Sequence, residues 1–169
     1  MRAVLVVPHH GYREEELDEP RRALEAAGAS VRLASSSLAP ATGMQGGTAT
    51  PDVLYCAVNV DDLDALVFVG GSGASEFFPD RAAHRLAREA LQRGKVVAGI
   101  CFGAAVLAEA GLLEGRPATS YPSREEHLRA RGAVWTGAPV TVSGRVVTGR
   151  GPEDAPAFAR ALVEALRGP

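Results

Sequence analysis

Cys101 lies in Val96-Val97-Ala98-Gly99-Ile100-Cys101-Phe102-Gly103, where a short apolar run meets the start of a helical pattern. Gly-x-Cys-x-Gly between a buried strand and a helix copies the nucleophile elbow, with sulfur in place of oxygen. Glycines two residues to either side let the backbone turn sharply, lift Cys101 above the sheet and bring the following helix close. The same turn sets the thiol at a helix N-terminus, where the macrodipole and free N–H groups favour thiolate. Its pKa is therefore expected to fall from ~8.5 into the ~3.5–7.5 range. A cysteine in an apolar run is ordinarily inert core; strand, flanking glycines and helix together are what point to a reactive sulfur. Addition of sulfur to a carbonyl also needs donors aimed at the developing oxyanion. The Phe102 N–H follows the nucleophile directly, and Gly71, after Leu66-Val67-Phe68-Val69-Gly70, brings a second from a neighbouring strand end. Taken alone, Gly70-Gly71 reads as a plain strand-to-helix turn. Glu14-Glu15-Glu16 reads first as a solvated opening turn of a helix. One of the three carboxyls at most faces the thiol, where it serves protonated as a hydrogen-bond donor, or as a general acid and base.

The elements that must position these residues follow from periodicity. Arg2–Pro8 reads as a strand, followed by a helix carrying Leu17, Leu24 and Ala27 and stopped by Gly28. Ser30–Ala34 alternates as a strand, and Ser35–Pro51 has the composition of an ordered excursion or small hairpin. Leu63–Val69 and Lys95–Ile100 are buried-strand patterns. Helices are expected from Pro79 through Gln92, over Phe102–Ala110, at Ser123–Arg131 and over Ala155–Leu166, with a short strand at Pro117–Ser120. Val140–Val142 and Arg145–Thr148 flank Ser143-Gly144 as a hairpin. Strands alternating with helices imply parallel pairing through right-handed crossovers, hence an α/β fold. Ligands then gather at the carboxyl ends of the strands. There the loop His9–Glu16, the glycine loop Gly70–Gly73 and the turn at Cys101 meet.

Composition excludes several classes. A chain of 169 residues, 46% hydrophobic and 22% charged, builds one core, so a single domain over 1–169 is expected. Basic and acidic residues nearly balance at a formal charge of −2, without a basic block, so no nucleic-acid partner is expected. No apolar run approaches a membrane span or a secretory signal. Cys56 and Cys101 are the only cysteines, without CxxC spacing, which argues against a zinc site or a disulfide framework and fits reduced thiols in the cytoplasm.

The elbow Ala98–Gly103, the glycine pair, Glu16 with Pro20, Leu112-Leu113-Glu114-Gly115-Arg116, Thr119-Ser120-Tyr121-Pro122 and Thr148-Gly149-Arg150-Gly151-Pro152 together resemble the ThiJ/PfpI superfamily. The likeness runs in order from the first strand to Ala155-Pro156-Ala157-Phe158-Ala159. It implies a three-layer α/β/α sandwich of the flavodoxin-like, class I glutamine amidotransferase-like kind. Members are described as protein deglycases, glyoxalases, intracellular cysteine peptidases, isonitrile hydratases and redox-responsive chaperones. Position by position, the resemblance makes Cys101 the nucleophile, Glu16 the glutamate that contacts it, and Gly71 and Phe102 the oxyanion donors. With a one-residue shift, it makes Glu76 a glutamate reaching a neighbouring subunit's site. It also implies a homodimer or higher homo-oligomer, and no metal or organic cofactor.

Two departures bear on mechanism. Peptidase-like members carry His directly after the cysteine, where this chain has Phe102, and others place a His near Tyr121. A Cys/His dyad of that type is absent, leaving His9 and His10 of the rim loop as the nearby substitutes. His84 and His127 read as surface residues. The leading expectation is therefore a stress-response enzyme whose Cys101 thiolate adds to a reactive small-molecule carbonyl, or to its adduct on a modified protein, with Glu16 shuttling the proton. The alternatives are a peptidase or amide hydrolase, and a redox sensor or chaperone that works through oxidation of Cys101.

Overall fold

The structure, a computed structural model, describes residues 1–168; of the single domain expected over 1–169, Pro169 lies outside the described residues. In chain order the elements are β1 (Arg2–Val6), β2 (His10–Tyr12), α1 (Glu14–Ala26), β3 (Ser30–Ser35), β4 (Ala41–Gly43), β5 (Thr48–Ala49), β6 (Val53–Leu54) and β7 (Ala65–Phe68). After a 3₁₀ turn at Ser72–Phe77 come α2 (Arg81–Gln92), β8 (Val96–Ile100), α3 (Phe102–Glu109) and β9 (Pro117–Ala118). The chain continues through α4 (Glu125–Ala130), β10 (Val134–Trp135), β11 (Val140–Ser143), β12 (Val146–Gly149) and α5 (Ala155–Arg167).

Seven strands form the central sheet in the order β11-β12-β8-β7-β1-β3-β6. All neighbours are parallel except the edge hairpin β11–β12. The apolar runs are continuous because this sheet is covered on both sides. Ala3, Leu5 and Val7 point into one layer with Leu17 and Leu24 of α1 and Phe158 and Leu162 of α5. Val4 and Val6 point into the other, with Leu86 of α2 and Val106 and Leu107 of α3. This is the α/β/α sandwich that the alternation of strands and helices implies.

Some boundaries differ from the sequence reading for local reasons. Asp80, not Pro79, caps α2, its carboxylate accepting from the Ala82 and Ala83 N–H groups at 3.0 and 3.2 Å. Within the expected rim loop, His10–Tyr12 forms a strand, and the excursion after β3 returns as a hairpin that makes a small sheet β2-β4-β5 with it. His84 and His127 are not the surface residues their helix positions suggested. His84 is buried with Nε2 2.9 Å from the Phe77 carbonyl, and His127 meets Glu109 at 2.5 Å while its ring packs edge-on against Phe78.

The β4–β5 hairpin is held against the body of the fold by Glu14. Its carboxylate accepts from the Gln45 N–H at 3.1 and 2.9 Å and from the Gly47 N–H at 2.9 Å, while the Met44 N–H donates to the Tyr12 carbonyl at 2.8 Å. Gly43 and Gly47 lie against the same carboxyl, where a Cβ on either would crowd it. The first glutamate of the acidic run is therefore a latch rather than a solvated charge.

Two substitutions test this scaffold. Glu14→Ala strips a charge-assisted acceptor worth about 1.5–3 kcal/mol from the hairpin, so amide hydrogen exchange at Gln45 and Gly47 accelerates at least roughly tenfold; unchanged exchange would contradict the latch. Gly103→Ala pushes a methyl into the Phe68 backbone carbonyl. It lowers the unfolding free energy by about 1–3 kcal/mol in a denaturant titration, whereas a neutral result would mean that helix and strand are not held in this contact.

Candidate active site

At the carboxyl end of β8 the chain reverses into α3 through Cys101, whose φ of 61° and ψ of −122° make it the only non-glycine residue with positive φ among the described residues. The conformation is costly for an L side chain and is fixed from several sides. The Cys101 N–H donates to the Gly149 carbonyl at 2.9 Å. A Cβ on Gly99 would stand 2.6 Å from the Gly103 carbonyl oxygen, so only glycine lets strand and helix approach this closely. Gly71, at φ 104°, makes the matching turn after β7, and any side chain there would strike the backbone of Gly11–Arg13. The elbow inferred from the glycine spacing is thus present in backbone form.

Glu16, on the first turn of α1, is completely buried beneath Cys101. A Cβ on Gly70 would collide with Glu16 Oε1 and come within 2.7 Å of Cys101 Cβ, so the absence of a side chain at Gly70 is what allows the two to face each other. Neither carboxyl oxygen has a hydrogen-bond partner of good geometry elsewhere, and the Cys101 thiol lies against the carboxyl. The Gly71 and Phe102 N–H groups point at the sulfur.

The electrostatics depart from expectation. Burial pushes the Glu16 carboxyl up to about 8, partly opposed by the Cys101 thiol and Arg13. Burial also pushes the Cys101 thiol up, with the Glu16 charge adding to the effect, and the two N–H donors only partly offset these causes. The expected thiolate of depressed pKa is therefore corrected: the helix N-terminus favours the anion, but desolvation of a nearly buried sulfur beside a carboxyl outweighs it. Loss of the first proton leaves a single negative charge to be shared between sulfur and carboxyl, and a second would place two anions in contact. At neutral pH the pair is mostly protonated.

Above the sulfur lies a cleft of about 190 Å³ whose wall includes Arg13, Met44, Phe102 and Tyr121. Phe102 and Tyr121 meet edge to face at 6.1 Å between ring centres, and the Arg124 guanidinium stacks 4.7 Å over the Phe102 ring. A second cleft of about 380 Å³ adjoins it, sharing Tyr121 and Pro152 and carrying Arg150, Glu153 and Asp154. Of the residues singled out from the sequence, Cys101, Glu16, Gly70, Gly71, Phe102 and Tyr121 come together here.

His9, His10 and Glu76 do not line this cleft. Glu76 accepts from the Ser36 hydroxyl at 2.6 Å and the His9 N–H at 3.3 Å, tying the loops after β1 and β3 together. His10 Nδ1 meets Thr42 Oγ1 at 2.9 Å on the small sheet. No histidine among the described residues lines the cleft. Arg13 and Met44 were not foreseen. Arg13, a single cation beside three glutamates, reads in sequence as charge balance, and Met44 is brought to the cleft by the hairpin that Glu14 and the Tyr12 carbonyl hold.

Comparison with known proteins agrees with this fold. Residues 1–165 match the DJ-1/PfpI family model. A protein of Pyrococcus abyssi named a deglycase is 35% identical over 164 residues, covering 97% of this chain and 99% of its own. A glutathione-independent glyoxalase of Caenorhabditis elegans is 28% identical over 167 residues, covering 99% and 89%. The crystal structure of a ThiJ/PfpI domain protein from Brachyspira murdochii superposes with a TM-score of 0.97 at 33% identity, covering 99% of this chain and 97% of that one. No helix among the described residues is long and apolar enough to cross a membrane. The chain belongs to the DJ-1/PfpI family.

Proposed function

We propose that the protein is a cysteine-dependent enzyme acting on reactive carbonyls, with small 2-oxoaldehydes such as methylglyoxal as substrates and Cys101 as nucleophile. The observation that carries this reading is the coupling of Cys101, held at positive φ under two N–H donors, to a buried Glu16 whose carboxyl has no other partner. Relatives named as deglycases and as a glyoxalase support the same class.

The chemistry follows from the pair. In its singly ionised form Glu16 takes the thiol proton as Sγ bonds to the aldehyde carbon, and the carbonyl π electrons move to oxygen beside the Gly71 and Phe102 N–H groups. Glu16 then returns the proton to that oxygen, giving a neutral hemithioacetal. As carboxylate again, it removes the hydrogen from the former aldehyde carbon, and the resulting enediol is protonated at the neighbouring carbon to leave a thioester on Cys101. Water cleaves the thioester, releasing the hydroxy acid and the free thiol. No imidazole is needed, because one carboxyl of raised pKa carries each proton. Amide hydrolysis is the second reading: with no histidine among the described residues lining the cleft, the Glu16 carboxyl would also have to protonate the leaving amine.

Lactate release from methylglyoxal tests the assignment: Cys101→Ser and Glu16→Gln each lower it by roughly a hundredfold or more, and equal release by wild type and variants rules the mechanism out. The pH dependence has a definite sign. The reactive form appears as the pair loses its first proton, so kcat/KM climbs about tenfold per pH unit at low pH and flattens above about 8, where Glu16 titrates. A profile already flat between about pH 5 and 7, the behaviour of a depressed thiol, would contradict this.

A further inference from the structure

Four ionisable side chains, Arg13 to Glu16, stand in sequence at the start of α1, and they are not presented to the cleft alike. Glu14 turns its carboxylate away into the hairpin, where the Gln45 and Gly47 N–H groups cover it. Glu16 lies beneath the sulfur and is mostly neutral below about pH 8. Glu15 is turned onto Arg13, accepting from its Nε at 2.7 Å. Arg13 itself is the only charged side chain lining the cleft among the described residues. Its guanidinium offers five N–H donors in a fixed fork, and only the Nε donor has a protein acceptor, so both terminal nitrogens are without one. A second cation, Arg124, backs the wall by stacking on Phe102, and no carboxylate stands among the lining residues.

We propose that Arg13 sets the site's substrate charge, selecting small electrophiles that carry a carboxylate or similar anionic group one or two bonds from the reactive carbon. The assignment rests on Cys101 being the nucleophile and goes beyond the reading above: it gives the site a preference among small electrophiles, under which an uncharged 2-oxoaldehyde still reaches Cys101 but gains nothing from Arg13. Glu15 strengthens the role, because its grip on Nε aims the planar fork in advance and reduces the ordering that a bound anion must otherwise impose. An anion held by two parallel N–H donors gains both charge assistance and direction. Its carbon is then placed between Sγ and the Gly71 and Phe102 donors.

Iodoacetate and iodoacetamide test the proposal without requiring any turnover. They are nearly equal in size and react alike: Sγ bonds to the methylene carbon, iodide leaves with the C–I electrons, and the thiol proton passes to Glu16 or solvent. The ratio of their rate constants at one sulfur cancels that sulfur's own nucleophilicity. Exposed Cys56 supplies an internal reference on the same chain. With both sites followed by peptide mass mapping at low salt, the iodoacetate-to-iodoacetamide ratio at Cys101 exceeds that at Cys56 by roughly tenfold. Arg13→Gln brings it down to the Cys56 value, and Arg13→Lys, which keeps the charge but loses the fork, falls between. A wild-type ratio at Cys101 no higher than at Cys56, or one that Arg13→Gln leaves unchanged, overturns the proposal. So does a Cys101 that neither reagent alkylates while Cys56 is consumed. If the ratio behaves as stated while methylglyoxal yields no lactate, anion selection stands and the oxoaldehyde reading falls. Lactate formation with an unselective ratio leads to the opposite conclusion.

Discussion

Burying a carboxyl against a thiol, with one proton too many or one too few for comfort, is the constraint around which this fold is arranged. Glu16 is sealed from water and has no other partner, a situation that costs folding free energy once the carboxyl must ionise. Its folded pKa of about 8 stands above the ordinary value of 4.5. At acid pH the protonated side chain avoids the larger cost of a buried charge. As pH rises from the ordinary carboxylate range towards about 8, the unfolded chain holds fewer protons than the folded one and stability declines. That cost is what the proposed role of Glu16, proton carrier for Cys101, accounts for.

The rest of the scaffold serves that contact. The two-sided core fixes the ends of β7 and β8 at one rim of the sheet. Gly70 leaves room for carboxyl and thiol to face each other, Gly71 turns its N–H towards the sulfur, and Gly99 with Gly103 lets helix and strand close around the strained cysteine. The strain at Cys101 is sustained because those neighbours over-determine it. The acidic run then divides its labour. Glu14 fastens the hairpin that brings Met44 over the site, Glu15 aims Arg13, and Glu16 holds the proton.

Much of this was written in local sequence. Gly-x-Cys-x-Gly after an apolar run defines an elbow because its geometry depends on residues only two positions away, and the alternation of strands with helices carries the layer arrangement. What local reading could not supply depended on distant neighbours. The helix N-terminus argued for a depressed Cys101 pKa, but burial by the whole fold reversed the direction. His84 and His127 sit at helix positions that look exposed until Phe77 and Glu109 approach from elsewhere in the chain. Met44 has no motif at all, since its place is decided by an acceptor 30 residues earlier that binds the amides just after it. Arg13 was hidden by its company, as a single cation beside three glutamates reads as charge balance rather than as the cleft's charged wall.

The central claim is that Glu16 retains its proton at neutral pH. Infrared difference spectroscopy of wild type against Glu16→Gln, following the carbonyl band of a protonated carboxylic acid across pH, observes this directly. The account predicts a band that persists at pH 7 and titrates away near about 8. Disappearance of the band by about pH 5.5, as an ordinary glutamate would show, would contradict it.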